Sequence, residues 1–409
     1  MRIQTLSQWA VALACSVFAG LFGYSGQWWA LPFAMAVLLG WGMASSRLMA
    51  FMVVFIYYLA AGRGLFQGGA VFFASSLSPG SFSWAWGLFI LVVPSALLAG
   101  TWAACWGRRA VGWRTVVALL LVSLPPVGFL GWTNPLAGLG VWLPGMGWVG
   151  LAISLVAATL IARVGQVIET ELRGAGQPLT RNERRGVASC LLVSIGAVVL
   201  HALAPSPQLP AGWVGIDTQL GRSDDYQAIR QVQHAVQQAV ARGGRVVLLP
   251  EAVGGNWELN RLYWNLVDQQ LSSQDVAVFV GAEAQLDEVR HVNGLFGLGA
   301  ARGVEIAQRL PVPLGMWAPW SKTRHVVSQW AGAGILDFDE HRVMVLICYE
   351  QFLVWPVLAS LLHQPDVVMA SANLWWASHT SLPDMQAATI RSWSRLFNMS
   401  VLQATNSAR

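Results

Sequence analysis

The 409-residue chain is 55% hydrophobic and only 11% charged, with 22 Trp, 41 Gly and a formal net charge of +5. This balance excludes a single soluble globular domain, and the lack of a basic stripe or a basic patch with interleaved aromatic residues excludes nucleic-acid binding. No Asp or Glu precedes Glu169, and a long acid-free apolar tract with scattered Arg is typical of membrane proteins.

Residues 1–205 are predicted to form an all-α bundle of membrane helices, because several apolar stretches reach the roughly 20 residues that a helix needs to cross the hydrocarbon. The candidate spans, about seven, are 7–23, 28–45, 48–66, 85–105, 115–132, 139–162 and 187–204. The first span resembles a signal peptide, but it lacks a small-residue cleavage site and further spans follow it at once.

The arginines of this half concentrate in alternate loops, which predicts that those loops face the cytoplasm. They are Arg2, Arg47, Arg108, Arg109, Arg114, Arg163, Arg173, Arg181, Arg184 and Arg185, whereas the opposite loops carry only Arg63. With an odd number of spans that start inside, the residues after Pro205 lie in the periplasm of a bacterial inner membrane. The alternative is an even number of spans and a cytosolic C-terminal domain.

A Pro-rich stretch at 206–211 is predicted to be a stiff linker, and strands and helices alternate through residues 212–409. This alternation predicts an α/β domain whose sheet is covered on both faces. The predicted strands are 213–218, 245–249, 276–280, 292–298, 303–310, 342–347, 366–370 and 400–404. One predicted helix ends near Gly243, and two others span 351–363 and 384–397.

Two buried strands end in residues that suit catalysis: one runs into Cys348 and the other into Pro250 and Glu251. The carboxyl ends of strands are where α/β folds usually place their chemistry, and a thiol with a carboxylate can form an activated cysteine nucleophile. A lone cysteine in a strand is more often a small buried hydrophobe, and Glu251 read alone could be a surface carboxylate. Glu350 would either orient the site or cap the following helix.

The remaining polar and aromatic residues add a candidate pocket and no metal site. Asn373, Trp375 and Trp376 follow a predicted strand and are expected to wall a substrate pocket, although aromatic residues there are as often core. Cys15, Cys105 and Cys190 lie in apolar runs, so a disulfide framework is not expected. The chain has no CxxC and no His/Cys cluster with metal spacing, so neither metal nor cofactor is expected.

Four motifs together resemble the nitrilase (carbon–nitrogen hydrolase) superfamily in order and spacing. They are Leu249-Pro250-Glu251, Ile347-Cys348-Tyr349-Glu350, Ser371-Ala372-Asn373-Leu374-Trp375-Trp376 and Ala404-Thr405-Asn406-Ser407. With the membrane bundle in front, the chain resembles the membrane-bound branch that contains apolipoprotein N-acyltransferase and plasmid conjugal-transfer proteins of TraB type. The resemblance implies an α-β-β-α sandwich over 212–409 and a Glu–Lys–Cys triad, with Glu251 as general base and Cys348 as nucleophile. The acyltransferase continues through further strands and a last membrane span, whereas this sequence stops at Arg409, so either this branch closes its sandwich differently or the sequence is cut short.

The family lysine is not matched. When the segment 308–316 is aligned on Pro313, the lysine position is Gln308, and a later family Glu is Met316. The cation is therefore missing, or it is Arg309 or Lys322, the chain's only lysine. An arginine can stabilise an oxyanion but is a poor proton shuttle. The segment 317–320, rich in Trp, differs from the acyltransferase and favours the conjugal-transfer branch.

Two functions follow from the resemblance. The first is an acyltransferase or amide hydrolase in which Cys348 takes an acyl group from a phospholipid or amide as a thioester and passes it to an amine or to water. The second is a membrane-anchored conjugal-transfer factor with altered or lost catalysis, whose partner would be the conjugation machinery. A transporter is disfavoured, because no charged residue lies in the middle of a predicted span.

Overall fold

A computed structural model describes residues 2–74, 83–172, 179–203, 207–222 and 225–408. The chain divides into two compact units, and neither unit is continuous in sequence. The first unit comprises Met1–Ser206, Phe352–Trp355 and His379–Asn398, and the second comprises Pro207–Gln351, Pro356–Ser378 and Met399–Arg409. Within the predicted linker, residue 206 lies outside the described residues, and 207–210 form neither helix nor strand.

The described residues contain α-helices in both halves of the sequence. They are α1 (Arg2–Gly23), α2 (Ala36–Gly42), α3 (Arg47–Ala61), α4 (Gly64–Ala74), α5 (Trp84–Cys105), α6 (Val111–Ser123), α7 (Leu139–Trp142), α8 (Gly147–Leu172), α9 (Arg181–Leu203), α10 (Tyr226–Ala241), α11 (Trp257–Ser273), α12 (Val354–Leu361) and α13 (Leu382–Phe397). Short 3-10 helices cover Trp28–Met35, Val127–Leu130, Pro135–Gly138, Cys348–Phe352 and Trp375–Ala377.

Three of the described helices are long and apolar enough to cross a membrane: Leu6–Gly23 in α1, the whole of α5, and α8. The helices α3 and α4 would make a fourth crossing if together they form one broken span, and they are bent by 62°. The predicted N-terminal helical region is thus confirmed, with three or four candidate spans in the described part of the chain.

Several of the other predicted spans are shorter or less regular than expected. The stretch predicted at 28–45 is a shorter helical piece, Trp28–Gly42, that begins as a 3-10 helix. The stretch predicted at 115–132 is α6, which ends at Ser123 just before Pro125 and Pro126, because proline cannot continue the backbone hydrogen bonding. The span predicted at 187–204 falls on α9, and several of its side chains lie outside the described residues.

Small residues let the helices of the first unit approach backbone to backbone. A Cβ added at Gly42 would overlap the carbonyl oxygen of Ala162, and one added at Gly165 would overlap that of Leu39, so α2 and α8 cross in direct contact. A Cβ added at Gly140 of α7 would likewise overlap the carbonyl oxygen of Ser392 in α13. The Gly140 N–H also donates to Ser392 Oγ at 3.1 Å. The helix α13 therefore packs as a member of this unit.

The second unit is built on two sheets. The strands are β1 (Trp213–Gly215), β2 (Val246–Leu248), β3 (Ala277–Gln285), β4 (Arg290–Gly299), β5 (Glu305–Ala307), β6 (His325–Val326), β7 (Ile335–Phe338), β8 (His341–Ile347), β9 (Val367–Asn373) and β10 (Ser400–Asn406). The first sheet has the order β1-β2-β3-β4-β5 with β6 beside β4, and the second has the order β10-β9-β8-β7. β1, β2 and β3 run parallel, as do β8, β9 and β10.

The core of the second unit lies between the sheets. Side chains such as Leu248 and Phe279 from the first sheet join Val345, Ile347 and Met369 from the second in one buried cluster. Alternate residues of the first sheet instead face α10 and α11 in a second cluster, because successive side chains of a strand point to opposite faces. Burial on both faces explains why the strands are continuous apolar runs. The predicted helical bundle followed by an α/β sandwich is confirmed.

The two sheets meet where the site residues were predicted. β2 ends at Leu248, three residues before Glu251, and β8 ends at Ile347, next to Cys348. Ser371 of β9 donates a hydrogen bond from Oγ to the carbonyl oxygen of Leu249 at 3.0 Å. This bond ties the end of one sheet to the other.

Candidate functional site

Cys348 lies at the point where β8 ends and a 3-10 helix begins. Its φ is +50°, a left-handed conformation that few non-glycine residues adopt, and its side chain is only 6% exposed. The chain therefore leaves the strand at the thiol. For this reason Glu350 does not share a strand face with Cys348, as it would if the strand continued.

The thiol of Cys348 hydrogen-bonds to the carboxylate of Glu251. Glu251 is 4% exposed, and two nitrogens fix its carboxylate: Asn293 Nδ2 donates to Oε1 at 2.6 Å, and the Asn373 N–H donates to Oε2 at 3.0 Å. The backbone N–H groups of Tyr349 and Asn373 also reach the sulfur. The structure thus brings together the two residues predicted as nucleophile and base.

Burial changes the proton affinity of both groups. It raises the pKa of Glu251 to about 7, against the opposing effect of hydrogen bonds from Cys348, Asn293 and Asn373. Burial also raises the pKa of the Cys348 thiol, and the negative charge of Glu251 raises it further. The sulfur therefore rests as a thiol beside a carboxyl group that titrates near neutral pH, which suits proton transfer from one to the other.

Gln308 fills the position that the resemblance assigns to the lysine. It is buried, its Oε1 accepts from Asn293 Nδ2 at 2.8 Å, and its Nε2 donates to the carbonyl oxygen of Ile347 at 3.1 Å. A hydrogen-bonded chain therefore runs from Glu251 through Asn293 and Gln308 to the residue before Cys348. A carboxamide donates hydrogen bonds but carries no charge.

Asn293 was missed by the sequence analysis. It lies in β4 and is fully buried, and its Nδ2 bridges Glu251 and Gln308. The signal for it was a polar side chain inside the predicted strand 292–298. Buried polar side chains are almost always hydrogen-bonded, so such a residue points to a polar partner.

Arg309 was a candidate for the catalytic cation, but its side chain pairs with Glu350. Its guanidinium forms a buried ion pair with Glu350, with 3.4 Å between Arg309 Nη2 and Glu350 Oε2. The remaining hydrogen bonds of the guanidinium go to the carbonyl oxygens of Gly332, Ala333, Val345 and Pro356 and to Ser360 Oγ. None goes to Cys348 or Glu251, so the structure does not bring this cation to the thiol.

Glu350 holds the segment that carries Gln308. Its carboxylate accepts from the backbone N–H groups of Arg309 and Leu310, and from that of Ile347 at the end of β8. Because Ile347 precedes Cys348 and Arg309 follows Gln308, Glu350 fixes both sides of the site. An orienting role for Glu350 stays a prediction, which these contacts support.

Lys322 lies in the stretch between the Trp-rich segment 317–320 and β6, and it is exposed to solvent. It forms no hydrogen bond or ion pair with any residue that the structure describes. The structure does not bring Lys322 to Cys348 or Glu251.

The residues predicted to wall a pocket lie at the end of β9, beside Glu251. Asn373 Oδ1 accepts from Asn406 Nδ2 at 2.8 Å, and Trp376 Nε1 donates to the carbonyl oxygen of Asn373 at 3.1 Å. Trp375 has the Arg222 guanidinium 5.9 Å from its ring centroid. Both tryptophans are half-buried, and Trp376 packs against the core cluster between the sheets.

Two relatives match nearly the whole chain. The "Conjugal transfer protein TraB" of Agrobacterium fabrum is 32% identical over 98% of this chain and 94% of its own length. The "Probable conjugal transfer protein TraB" of Sinorhizobium fredii is 30% identical over 93% of this chain and 94% of its own. No protein-family model matches the chain.

Solved structures resemble part of the chain at low sequence identity. A mutant of an amidase from Nesterenkonia, of the nitrilase superfamily, is 13% identical with a TM-score of 0.39, and the match covers 49% of this chain and 78% of the amidase. A glutamine-dependent NAD+ synthetase from Acinetobacter baumannii is 15% identical with a TM-score of 0.30, over 40% of this chain and 31% of the synthetase.

Proposed function

Since the chain belongs to the TraB family of conjugal transfer proteins, we propose that it is a membrane-anchored cysteine enzyme that transfers or hydrolyses acyl groups during conjugal transfer. The observation that carries the proposal is the buried contact between the Cys348 thiol and the Glu251 carboxylate. A thiol beside a base that titrates near neutral pH is the arrangement a nucleophilic cysteine needs.

The proposed reaction has two halves, and Glu251 moves the proton in each. In the first, Cys348 sulfur forms a bond to the acyl carbon while Glu251 takes the thiol proton. Glu251 then protonates the leaving group, whose bond to the acyl carbon breaks, and a thioester remains. In the second half, an amine or water gives its proton to Glu251 and attacks the thioester. The carbon–sulfur bond breaks, and the sulfur recovers the proton.

Neutral donors would stabilise the oxyanion formed in both halves. The backbone N–H of Tyr349 already reaches the sulfur, and the Gln308 carboxamide lies beside Ile347. Backbone and carboxamide N–H groups are common oxyanion donors. Asn373, Trp375 and Trp376 are proposed to border the acyl group, because they lie at the strand end that holds Glu251.

The proposed location is the bacterial inner membrane, with several spans and the second unit in the periplasm. The apolar helices α1, α5 and α8 support anchoring, and the orientation follows from the alternation of arginines along the sequence. On this basis the acyl donor is a membrane phospholipid and the acceptor an amine, with the conjugation machinery as the wider partner. A reporter fused after Pro210 tests the orientation, because activity of a cytosolic reporter there would contradict it.

The test of the function is the intact mass of the purified protein after treatment with an activated acyl donor. The wild type is expected to gain one acyl group, which hydroxylamine removes as expected for a thioester, whereas Cys348→Ala gains none. Cys190→Ala is the matched control, because Cys190 lies on α9 and is expected to leave the adduct unchanged.

A second candidate is a conjugal-transfer factor that keeps the scaffold without the catalysis. It is favoured by Gln308 at the lysine position and by the engagement of Arg309 with Glu350. An unmodified wild type, together with normal plasmid transfer in Cys348→Ala, would establish this second candidate and refute the enzyme.

A further inference from the structure

Two cations of the first unit share one aromatic ring. The guanidinium carbons of Arg391 and Arg395 lie 4.3 Å and 4.7 Å from the ring centroid of Trp28. The two arginines are four residues apart on α13, so they project from the same side of the helix. Stacking on an aromatic ring orders a guanidinium while its N–H groups stay available.

This pair of cations has no anion within the described part of the chain. Neither guanidinium forms an ion pair or a hydrogen bond there, and Arg395 Nε is buried without a partner. Burial lowers the pKa of Arg395, and so does the charge of Arg391. The acid of α13, Asp384, stands two turns before Arg391 and pairs with neither arginine. Two adjacent like charges repel, so an anion bound between them would relieve an unfavourable contact.

An exposed aromatic surface adjoins the pair. Trp28 opens the 3-10 helix Trp28–Met35, and two further rings of that helix, Trp29 and Phe33, are 48% and 45% exposed. They pack through Phe22 with Phe18 of α1, which is 45% exposed. Exposed aromatic clusters next to basic residues are typical of the boundary between lipid headgroups and acyl chains.

We propose that Arg391, Arg395 and Trp28 bind the phosphate of an anionic phospholipid, whose acyl chains lie against Phe18, Trp29 and Phe33. The forked N–H groups of arginine match phosphate oxygens in geometry and charge. A free phosphate would satisfy the two cations, but it would leave the aromatic cluster exposed to water. A lipid would pair its phosphate with the two cations and cover the aromatic cluster with its acyl chains, so we assign the occupant as a lipid. The proposal does not depend on catalysis by Cys348.

The test measures how many lipids the full-length chain retains. Protein purified in detergent is titrated with phosphatidylglycerol or phosphatidylcholine, and bound lipid is counted by native mass spectrometry. Wild type is expected to retain phosphatidylglycerol in preference to phosphatidylcholine, and millimolar inorganic phosphate is expected not to displace it. The Arg391→Gln/Arg395→Gln variant is expected to bind phosphatidylglycerol at least about tenfold more weakly, since two charge-assisted contacts are lost.

The matched control is Arg181→Gln/Arg185→Gln, an exposed pair at the same spacing on α9, which is expected to bind like wild type. Arg391→Lys/Arg395→Lys keeps both charges and is expected to retain part of the affinity, so it separates a lost site from a misfolded chain. Equal retention by wild type and the Arg391→Gln/Arg395→Gln variant would overturn the proposal. Equal retention of the two lipids, or displacement by inorganic phosphate, would overturn the assignment to an anionic lipid.

Discussion

Burial raises the pKa of both Glu251 and Cys348, and the hydrogen bond between them then acts on the two groups in opposite directions. The bond from the thiol stabilises the Glu251 carboxylate and lowers its pKa, while the carboxylate raises the pKa of the thiol. In the resting site the proton therefore belongs to sulfur, and it moves to Glu251 only when sulfur attacks.

The rate at which Cys348 is acylated should rise with pH and level off above about 7. Attack requires Glu251 as a carboxylate, and its pKa is about 7, so the acceptor is lost when the pH falls below that value. Acylation measured by intact mass between pH 5.5 and 8.5 checks this. Glu251→Gln should remove the inflection and slow acylation about a hundredfold or more. An unchanged profile in that variant would show that Glu251 is not the base.

Gln308→Lys should move the inflection of the acylation rate to lower pH. A cation near Glu251 favours its carboxylate form and lowers its pKa, typically by about one unit or more. Gln308→Met, which has similar size and no charge, is the control and should slow acylation without that shift. If both variants shift the profile alike, charge is not the cause, and Gln308 does not occupy the lysine's place.

Asn293→Asp should move the inflection in the opposite direction. It replaces a donor 2.6 Å from Glu251 Oε1 with a second carboxylate, and neighbouring like charges raise a pKa. The pH of half-maximal acylation should therefore rise above 7 by about one unit. Asn293→Ser, which keeps a hydroxyl donor, should give a smaller change. A profile that stays at the wild-type pH in Asn293→Asp would contradict the hydrogen-bonded chain described for the site.

Arg309→Leu should destabilise the protein, whereas Lys322→Ala should not. Removing Arg309 leaves Glu350 charged, buried and without its cation, and breaking a buried ion pair typically costs about 3–5 kcal/mol. Lys322 is exposed, and surface substitutions usually change stability by less than about 0.5 kcal/mol. Thermal unfolding in detergent measures the stability of the Arg309→Leu and Lys322→Ala variants. Normal acylation in a folded Lys322→Ala variant would exclude it as the catalytic cation.

The two strand ends were predictable because apolar runs stop abruptly at Glu251 and Cys348, and buried parallel strands leave that pattern in the sequence. The environment of Arg309 was not predictable, although the alignment on Pro313 placed Gln308 at the lysine position. Arg309 lies in a bend after β5 ends at Ala307, and its guanidinium pairs with Glu350, which is 41 residues away. Closeness in sequence to the lysine position therefore did not indicate where the side chain of Arg309 would lie.

The lengths of the helices were less predictable than their hydrophobicity. Composition revealed an apolar half, but Pro125 and Pro126 end α6 early, and α3 breaks from α4. Asn293 was not predicted as a site residue because a single polar residue in an apolar run does not indicate which residues it will hydrogen-bond to. Its partners Glu251 and Gln308 belong to segments 42 and 15 residues away.

The close crossing of Gly140 and Ser392 makes the first unit depend on residues from near the C-terminal end. A fragment that ends at Ser206 lacks α13 and leaves Gly140 and Trp28 without the helix that covers them. Co-expression of residues 1–206 with 207–409 should therefore reconstitute a stable pair that purifies together. Gly140→Leu, whose side chain would collide with the Ser392 carbonyl, should prevent that reassembly, so fragment complementation would report directly on helix docking.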